Sequence, residues 1–567
     1  MFYLLDLAWD TAAHALTLFD FSFQGLLLFL GGMVSLFDLV NLPTDLVVDQ
    51  LFLLDKYDYV IVGGGSAGCV LANRLSADPS KMVLLIEAGG MEDAFAQVPL
   101  FAPLLIGSRF DWKYLPEPQE QACLSMRDKR CPWARGMAMG GSSAINFMFY
   151  VRGNRRDYDI WRNDFGAHGW SYEEVLPHFK NIETARLPDQ ERCSRLQANT
   201  LEGERYSASR SFITPILLRK NLHISLRSRA TKVVFEDERA TGVRVLKGGL
   251  MYTVQASLEV LIAAGAVASP QLLLHSGVGP RSDLEELKIP VIADLPVGNN
   301  LQDHMHVEGI SGTLRHQDGI NLFRLSTVTD YMFKRSGPFS IPGSVEALAF
   351  VSTPFVNKSL EFPDVEIVLQ SLPSSALPLE CYLSNMALRK DVYDQYFLPK
   401  RGRHGFALAP LVNRPKSRGY VKLRTTNPLD QPIIDPKYLT HPDDVATAVE
   451  GVKIALRLMK SDAMQSIKAK PWDIPLDACV SEGAIWSDPY VACLVRHMAH
   501  TTWHACCTCP MGSDERAVLD PRLRVRGLKR LRVVDASVMP TIVTGNLNAP
   551  VMMIADKAAA MIIQDNQ

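Results

Sequence analysis

The sequence predicts an α/β protein: a Rossmann-like domain assembled discontinuously, with a second, α+β domain carried between its segments. Three observations carry this reading. Residues 57–90, YDYVIVGGGSAGCVLANRLSADPSKMVLLIEAGG, form a complete βαβ pattern. Two later segments, EVLIAAG at 259–265 and LRVVD at 531–535, repeat the strand-then-turn pattern far along the chain. The 567 residues also exceed the size at which one hydrophobic core keeps growing.

The first 55 residues stand apart. They contain no Lys or Arg, seven Asp, and an apolar run at 23–37 that includes GLLLFLGGMVSLF. The run lacks the basic leader and small-residue cleavage site of a signal peptide, and Asp20 and Asp38 keep it short for a spanning helix. Two readings stay open: an atypical segment that makes the chain secreted or membrane-associated, or a buried or disordered extension. Asn357-Lys358-Ser359 is a glycosylation acceptor that matters only in a secreted chain.

From Tyr57 the pattern becomes regular. An apolar strand at 57–62 leads into Gly63, Gly65 and Gly68, and residues 67–75 have helical period. Free amides at the start of that helix, at Ser66 and Ala67, can hold a pyrophosphate. A second apolar run at 82–86 delivers Glu87, nineteen residues after Gly68 and followed by Ala88, where a carboxylate accepts hydrogen bonds from a ribose diol. This fits an adenine dinucleotide without a 2′-phosphate. FAD and NAD both remain open on this stretch.

Next comes RGMAMGGSSAINFMFYVR at 135–152. Gly136, Gly140 and Gly141 permit close backbone approach, and Ser142, Ser143 and Asn146 supply short polar groups, which suits a loop wrapped along a cofactor. Residues 259–265 return the chain to the sheet and run into the helix-like SPQLLLHSG; VGNNLQDH at 297–304 is a polar turn ending in His304. A net charge of −2 without a basic block excludes nucleic acid as a partner. The ten cysteines are scattered except for Cys506, Cys507 and Cys509, so no disulfide framework is expected.

The glycine fingerprint, RGMAMGGSSAIN, GAVASPQLLLHSGVGP, VGNNLQDH, RVVDASVMP and GNLNAP, in this order, resemble the glucose-methanol-choline (GMC) family of FAD oxidoreductases over about residues 56–563. The nearest flavour is the arthropod glucose dehydrogenase-like group. The resemblance implies FAD rather than NAD, an alcohol or sugar substrate, a quinone-like electron acceptor and a substrate domain with an antiparallel sheet. His504 takes the place of the family's catalytic histidine, and Asn546 the second catalytic position. Cofactor contacts are implied at Gly63, Gly65, Ser66, Ala67, Gly68, Glu87 and Ala88, with Trp112 near the adenine-to-flavin linkage and Val233 at the adenine. The loop residues Arg135, Met139, Gly140, Gly141, Ser142, Asn146, Phe147 and Met148 should follow the flavin. Asp535 and Ala536 should meet the pyrophosphate or ribityl chain, and Asn548, Ala549, Pro550 and Val551 the isoalloxazine. The implied domains are an extension at 1–55, an FAD domain at 56–305 with a short substrate-domain insert at about 155–230, a substrate domain at 306–485, and a return at 486–567.

A metal site is the rival for one segment, because His500 and His504 are spaced to share a helix face and three cysteines follow. The cysteines crowd together and no second ligand pair lies at zinc-ribbon distance, so no metal is expected. Three departures bear on activity. Met137 stands where the family usually has Lys, Cys507 stands where it has Gly, and several dozen residues that members carry after about residue 190 are missing.

Overall fold

The computed structural model describes residues 47, 49–183, 193–314, 320, 322, 324–376 and 381–567. Residues 1–46, and with them the apolar N-terminal run, lie outside this set, as does the junction at 184–192 where the missing segment was expected.

Among the described residues the first sheet has seven strands. Its parallel part sets Leu222–Ser225, Val83–Ile86, Lys56–Val62, Leu250–Ile262 and Leu531–Val533 side by side, drawn from four distant stretches. These strands are near-continuous apolar runs because both faces are covered; Val83–Ile86 is buried at every position. The first half of Leu250–Ile262 also turns outward into an antiparallel ribbon with Arg239–Lys247 and Ser228–Glu236. A buried bidentate pair, Arg532 to Glu259 at 2.6 and 3.0 Å, locks the last strand to its neighbour.

The fingerprint helix, Ser66–Leu75, lies against the C-terminal helix, Asn548–Asp565. Ser66 Oγ donates to Asn548 Oδ1 at 2.8 Å, and Arg74 pairs with Asp556 at 2.8 Å. This contact brings the end of the chain to its beginning. Gly63 needs its φ of +105°, and a Cβ at Gly68 would stand 1.8 Å from the Gly63 carbonyl oxygen. Gly65 differs: its φ is −78°, and a Cβ there would meet only Gly141 Cα at 3.8 Å.

Among the described residues the second sheet has eight strands, all antiparallel to their neighbours. Its centre is Gly405–Val412 against Val365–Gln370 and Val345–Val351, with Met305–Val307 and Ala499–Thr501 alongside. The helix Pro442–Met459 covers the outer face: a Cβ at Gly451 would meet Pro410 at 3.2 Å and Val365 at 3.3 Å. The alternate residues Glu366, Val368, Ala409 and Leu411 therefore face inward.

The chain crosses between the two halves more often than the sequence suggests. Within the expected insert at 155–230, the helix Tyr172–Ile182 is tied to the C-terminal helix through His178 and Asp556 at 2.8 Å, and Leu222–Ser225 and Ser228–Glu236 are strands of the first sheet; only Cys193–Arg195 joins the second. Ala499–Thr501, inside the expected return, also belongs to the second sheet. Among the described residues two disulfides, Cys123–Cys131 and Cys479–Cys493, staple the substrate half as isolated bridges rather than a framework.

Candidate active site

A cavity of about 380 Å³ runs between the two halves. One end is the glycine cradle of the first sheet. Gly63, Gly65, Ser66, Ala67, Glu87, Ala88 and Trp112 border it, followed by the loop residues Arg135, Gly141, Ser142, Asn146, Phe147 and Met148. Asp535, Ala536, Asn548 and Val551 border it from the C-terminal segment. Gly65 and Gly265 leave open backbone here, since a Cβ at Gly265 would meet nothing within 4 Å. The starts of the helices Ser66–Leu75, Gly265–His275 and Asn548–Asp565 converge on the same space, and their free amides favour anionic groups. These residues fit FAD, which supplies a two-electron acceptor for a hydride when bound.

Both buried carboxyl groups at this end are held by protein donors. Glu87 accepts from the Gly64 amide at 2.8 Å and the Gly89 amide at 2.7 Å, while burial pushes it up to about 7. Asp535 accepts from Gly265 and Ser269 on one oxygen and from Ser537 on the other.

Six expected contacts do not border the cavity. Gly68, Met139, Gly140, Ala549 and Pro550 lie behind its wall. Val233 is fully buried, and its amide donates to Ser276 Oγ at 2.8 Å, so it offers nothing to an adenine. The residues that border the cavity from that strand are Ser228, Arg229, Ala230 and Thr231. Arg229 lies over the Trp112 ring at 5.1 Å, and Trp112 stacks on Tyr114.

At the other end the second sheet and the C-terminal segment bring His504 and Asn546 together. Asn546 Nδ2 is 3.0 Å from His504 Nε2. His504 Nδ1 is 3.0 Å from His304 Nδ1 and 3.1 Å from Thr502 Oγ1. The chain of hydrogen bonds fixes the tautomers. His304 Nε2 lies 2.8 Å from the Asn413 carbonyl, which can only accept, so that nitrogen carries the hydrogen and His304 Nδ1 is an acceptor. Thr502 Oγ1 spends its hydrogen on the His304 carbonyl. His504 therefore donates from Nδ1 and keeps the Nε2 lone pair, toward which Asn546 donates. Burial, with the His304 ring and the Arg135 guanidinium nearby, holds His504 well below the ordinary histidine range and keeps it neutral. Its backbone amide donates to Asp303 at 2.7 Å, and Asp303 also accepts from Thr501 and Tyr438.

His500 and His504 do not share a helix face. His500 lies in the strand Ala499–Thr501 with its ring 5.8 Å from that of His306, and His504 follows in a loop. Cys506, Cys507 and Cys509 are buried in the core of the cofactor half and face away from the cavity. Cys507 takes φ +73°, the conformation that suits the glycine expected there. Among the described residues the grouping with metal-ligand spacing is Cys479, Cys493 and His497, whose cysteines are joined in a disulfide.

Sequence reasoning passed over His304 as the end of a polar turn and gave no role to Asp303, His306, Glu308 or Glu366. VGNNLQDH carried a signal for His304, a histidine in a segment that also held the resemblance. For Glu366 the signal was an acid inside the alternating strand VEIVLQ.

Two profiles described as GMC oxidoreductase match residues 57–199 with 184–306, and 415–555. The chain is 36% identical over 563 residues to a glucose dehydrogenase [FAD, quinone] of Drosophila pseudoobscura pseudoobscura, covering 89% of this chain and 87% of that protein. It is 34% identical to an alcohol dehydrogenase [acceptor] of Pseudomonas putida, covering 90% of this chain and 96% of the other. Among solved structures it resembles pyridoxine 4-oxidase from Mesorbium loti, with a TM-score of 0.74 and 27% identity over 89% of this chain and 98% of that one. Matched in both its halves, and by relatives along nearly its whole length, the chain belongs to the GMC oxidoreductases, FAD-dependent flavoproteins that act on CH–OH groups.

Proposed function

We propose that the protein oxidises an alcohol or sugar hydroxyl with His504 as proton acceptor and passes the electrons to a quinone-like acceptor. The observation that carries this is the neutral His504 whose unprotonated Nε2 faces the Asn546 amide at 3.0 Å. His504 Nε2 takes the hydroxyl proton as the carbon gives up its hydride to the cofactor. Asn546 donates to the same oxygen and steadies its developing charge without competing for the proton. The quinone-like acceptor is supported by the name of the Drosophila relative; the name of the pyridoxine oxidase supports oxygen as the alternative.

The test is anaerobic. Purified holoprotein mixed with a panel of alcohols and sugars should lose its visible flavin absorbance with at least one of them. A soluble quinone should restore the colour faster than air; faster recovery in air, with stoichiometric peroxide, would make the protein an oxidase. No bleaching by any alcohol favours a second reading, a flavin-binding protein impaired by its shortened insert. The two family matches to the N-terminal half overlap at 184–199, where the sequence is short. We further propose a secreted or membrane-associated setting. The two disulfides suit an oxidising compartment, and Asn357 is exposed. No helix of the described residues is long and apolar enough to cross a membrane.

A further inference from the structure

We propose that Glu366 reads the substrate by hydrogen-bonding a second hydroxyl, so that the natural substrate is polyhydroxylated rather than a simple alkanol. This rests on the alcohol-oxidation reading above. Glu366 is fully buried, borders the cavity, and neither carboxyl oxygen has a hydrogen-bond partner among the described residues. The ladder sets Glu366 opposite Phe350 on one side and Leu411 on the other, and Leu411 opposite His306, so these four side chains share the inward face. The Phe350 ring reaches the space beside Gly545: a Cβ there would stand 3.4 Å from it, one residue from Asn546. Glu366 therefore sits one ladder step from the wall of the catalytic pair, where the part of a substrate beyond its reacting carbon must lie.

The surroundings choose the ligand chemistry. Phe147, Phe149, Val345, Val368 and Leu411 border the same space, and no lysine or arginine of the second sheet does, which disfavours an anion. Burial alone pushes the Glu366 carboxyl up to about 8, so at neutral pH it is an acid with one hydrogen to donate and a carbonyl oxygen to accept. A hydroxyl has the matching pair of functions. An ammonium group would first have to drive the proton off. The two buried carboxyls at the cofactor end are filled by their own protein; this one awaits a partner.

The test uses FAD-loaded protein in a His504→Ala background, where binding is followed by flavin difference spectra without turnover. Glucitol, glucose, hexan-1-ol and choline are the probes. Glu366→Leu should weaken glucitol or glucose at least about tenfold and leave hexan-1-ol unchanged or tighter, as for a pocket that loses a hydroxyl partner. The isosteric Glu366→Gln, which keeps both a donor and an acceptor, should cost less than Glu366→Leu and guards against a folding failure. Polyol affinity indifferent to both substitutions, no polyol binding at all, or a Glu366 dependence confined to choline would each overturn the proposal. Polyol binding that depends on Glu366 in a protein whose flavin no alcohol bleaches would leave this inference standing and remove the enzymatic reading.

Discussion

The two ends of the cavity treat buried polar groups in opposite ways. At the cofactor end Glu87 and Asp535 are buried acids whose four oxygens all accept from backbone amides or serines. At the substrate end Glu366, His306 Nδ1 and Asn546 Oδ1 are buried without partners among the described residues. Leaving a buried polar group unmet costs about 1–3 kcal/mol, so such a cluster is kept only where something else meets it. The cofactor end is thus finished by folding, and the substrate end is finished by its ligand.

Substitutions can break this contrast, the most damaging first. Gly68→Val should abolish folding, because any Cβ there meets the Gly63 carbonyl at 1.8 Å; loss of soluble, cooperatively melting protein is the readout. Gly65→Val should fold, since its backbone and surroundings admit a Cβ, and yet be colourless, because the side chain fills space at the pyrophosphate cradle. A yellow Gly65→Val protein would mean that the cradle is not where the cofactor lies. At the other end His504→Ala should keep its flavin and lower anaerobic flavin reduction by about a hundredfold or more in stopped-flow. Asn546→Ala should cost less, about tenfold, since it removes one donor and leaves the base. Equal background rates for wild type and His504→Ala would remove the enzymatic reading.

The smallest effect is on stability. Glu366 binds its proton more tightly folded than unfolded, its pKa raised from 4.5 to about 8. Its protonated form is therefore stabilising below about 4.5, and that stability is lost as the pH rises to about 8. Glu366→Gln has no such loss. The melting temperature of the variant should gain on wild type by about a few degrees between those limits and hold the difference above them. Parallel melting curves across that range would mean that Glu366 is not isolated as described.

The cofactor end was legible in the sequence because its physics is local. A fingerprint needs glycines, a helix start and an acid at fixed spacing, and Gly63, Gly65 and Glu87 all border the cavity. Val233 failed because strand position is not local: the ladder between Ser228–Glu236 and its neighbour shifts register between Ala230 and Lys232, and the residues that reach the cavity, Ser228 to Thr231, end at that shift. The domain limits shift because a strand's sheet is chosen by its partner, as Leu222–Ser225 and Ala499–Thr501 illustrate. Glu366 was invisible for a related reason. An acid in an alternating strand reads as solvent-facing until the helix Pro442–Met459 is found covering the opposite side.

The histidine chain has a further consequence. A proton received at His504 Nε2 can be shared with His304, but beyond His304 lies only the Asn413 carbonyl, which has no hydrogen to hand on. The pair is a cul-de-sac rather than a wire. In the proposed reaction the positive charge then stays at this histidine pair until the flavin gives up its electrons. Anaerobic reduction should leave a pH indicator in the surrounding solution silent, and reoxidation by a quinone should leave it silent too, because the held proton leaves with the hydride in the quinol.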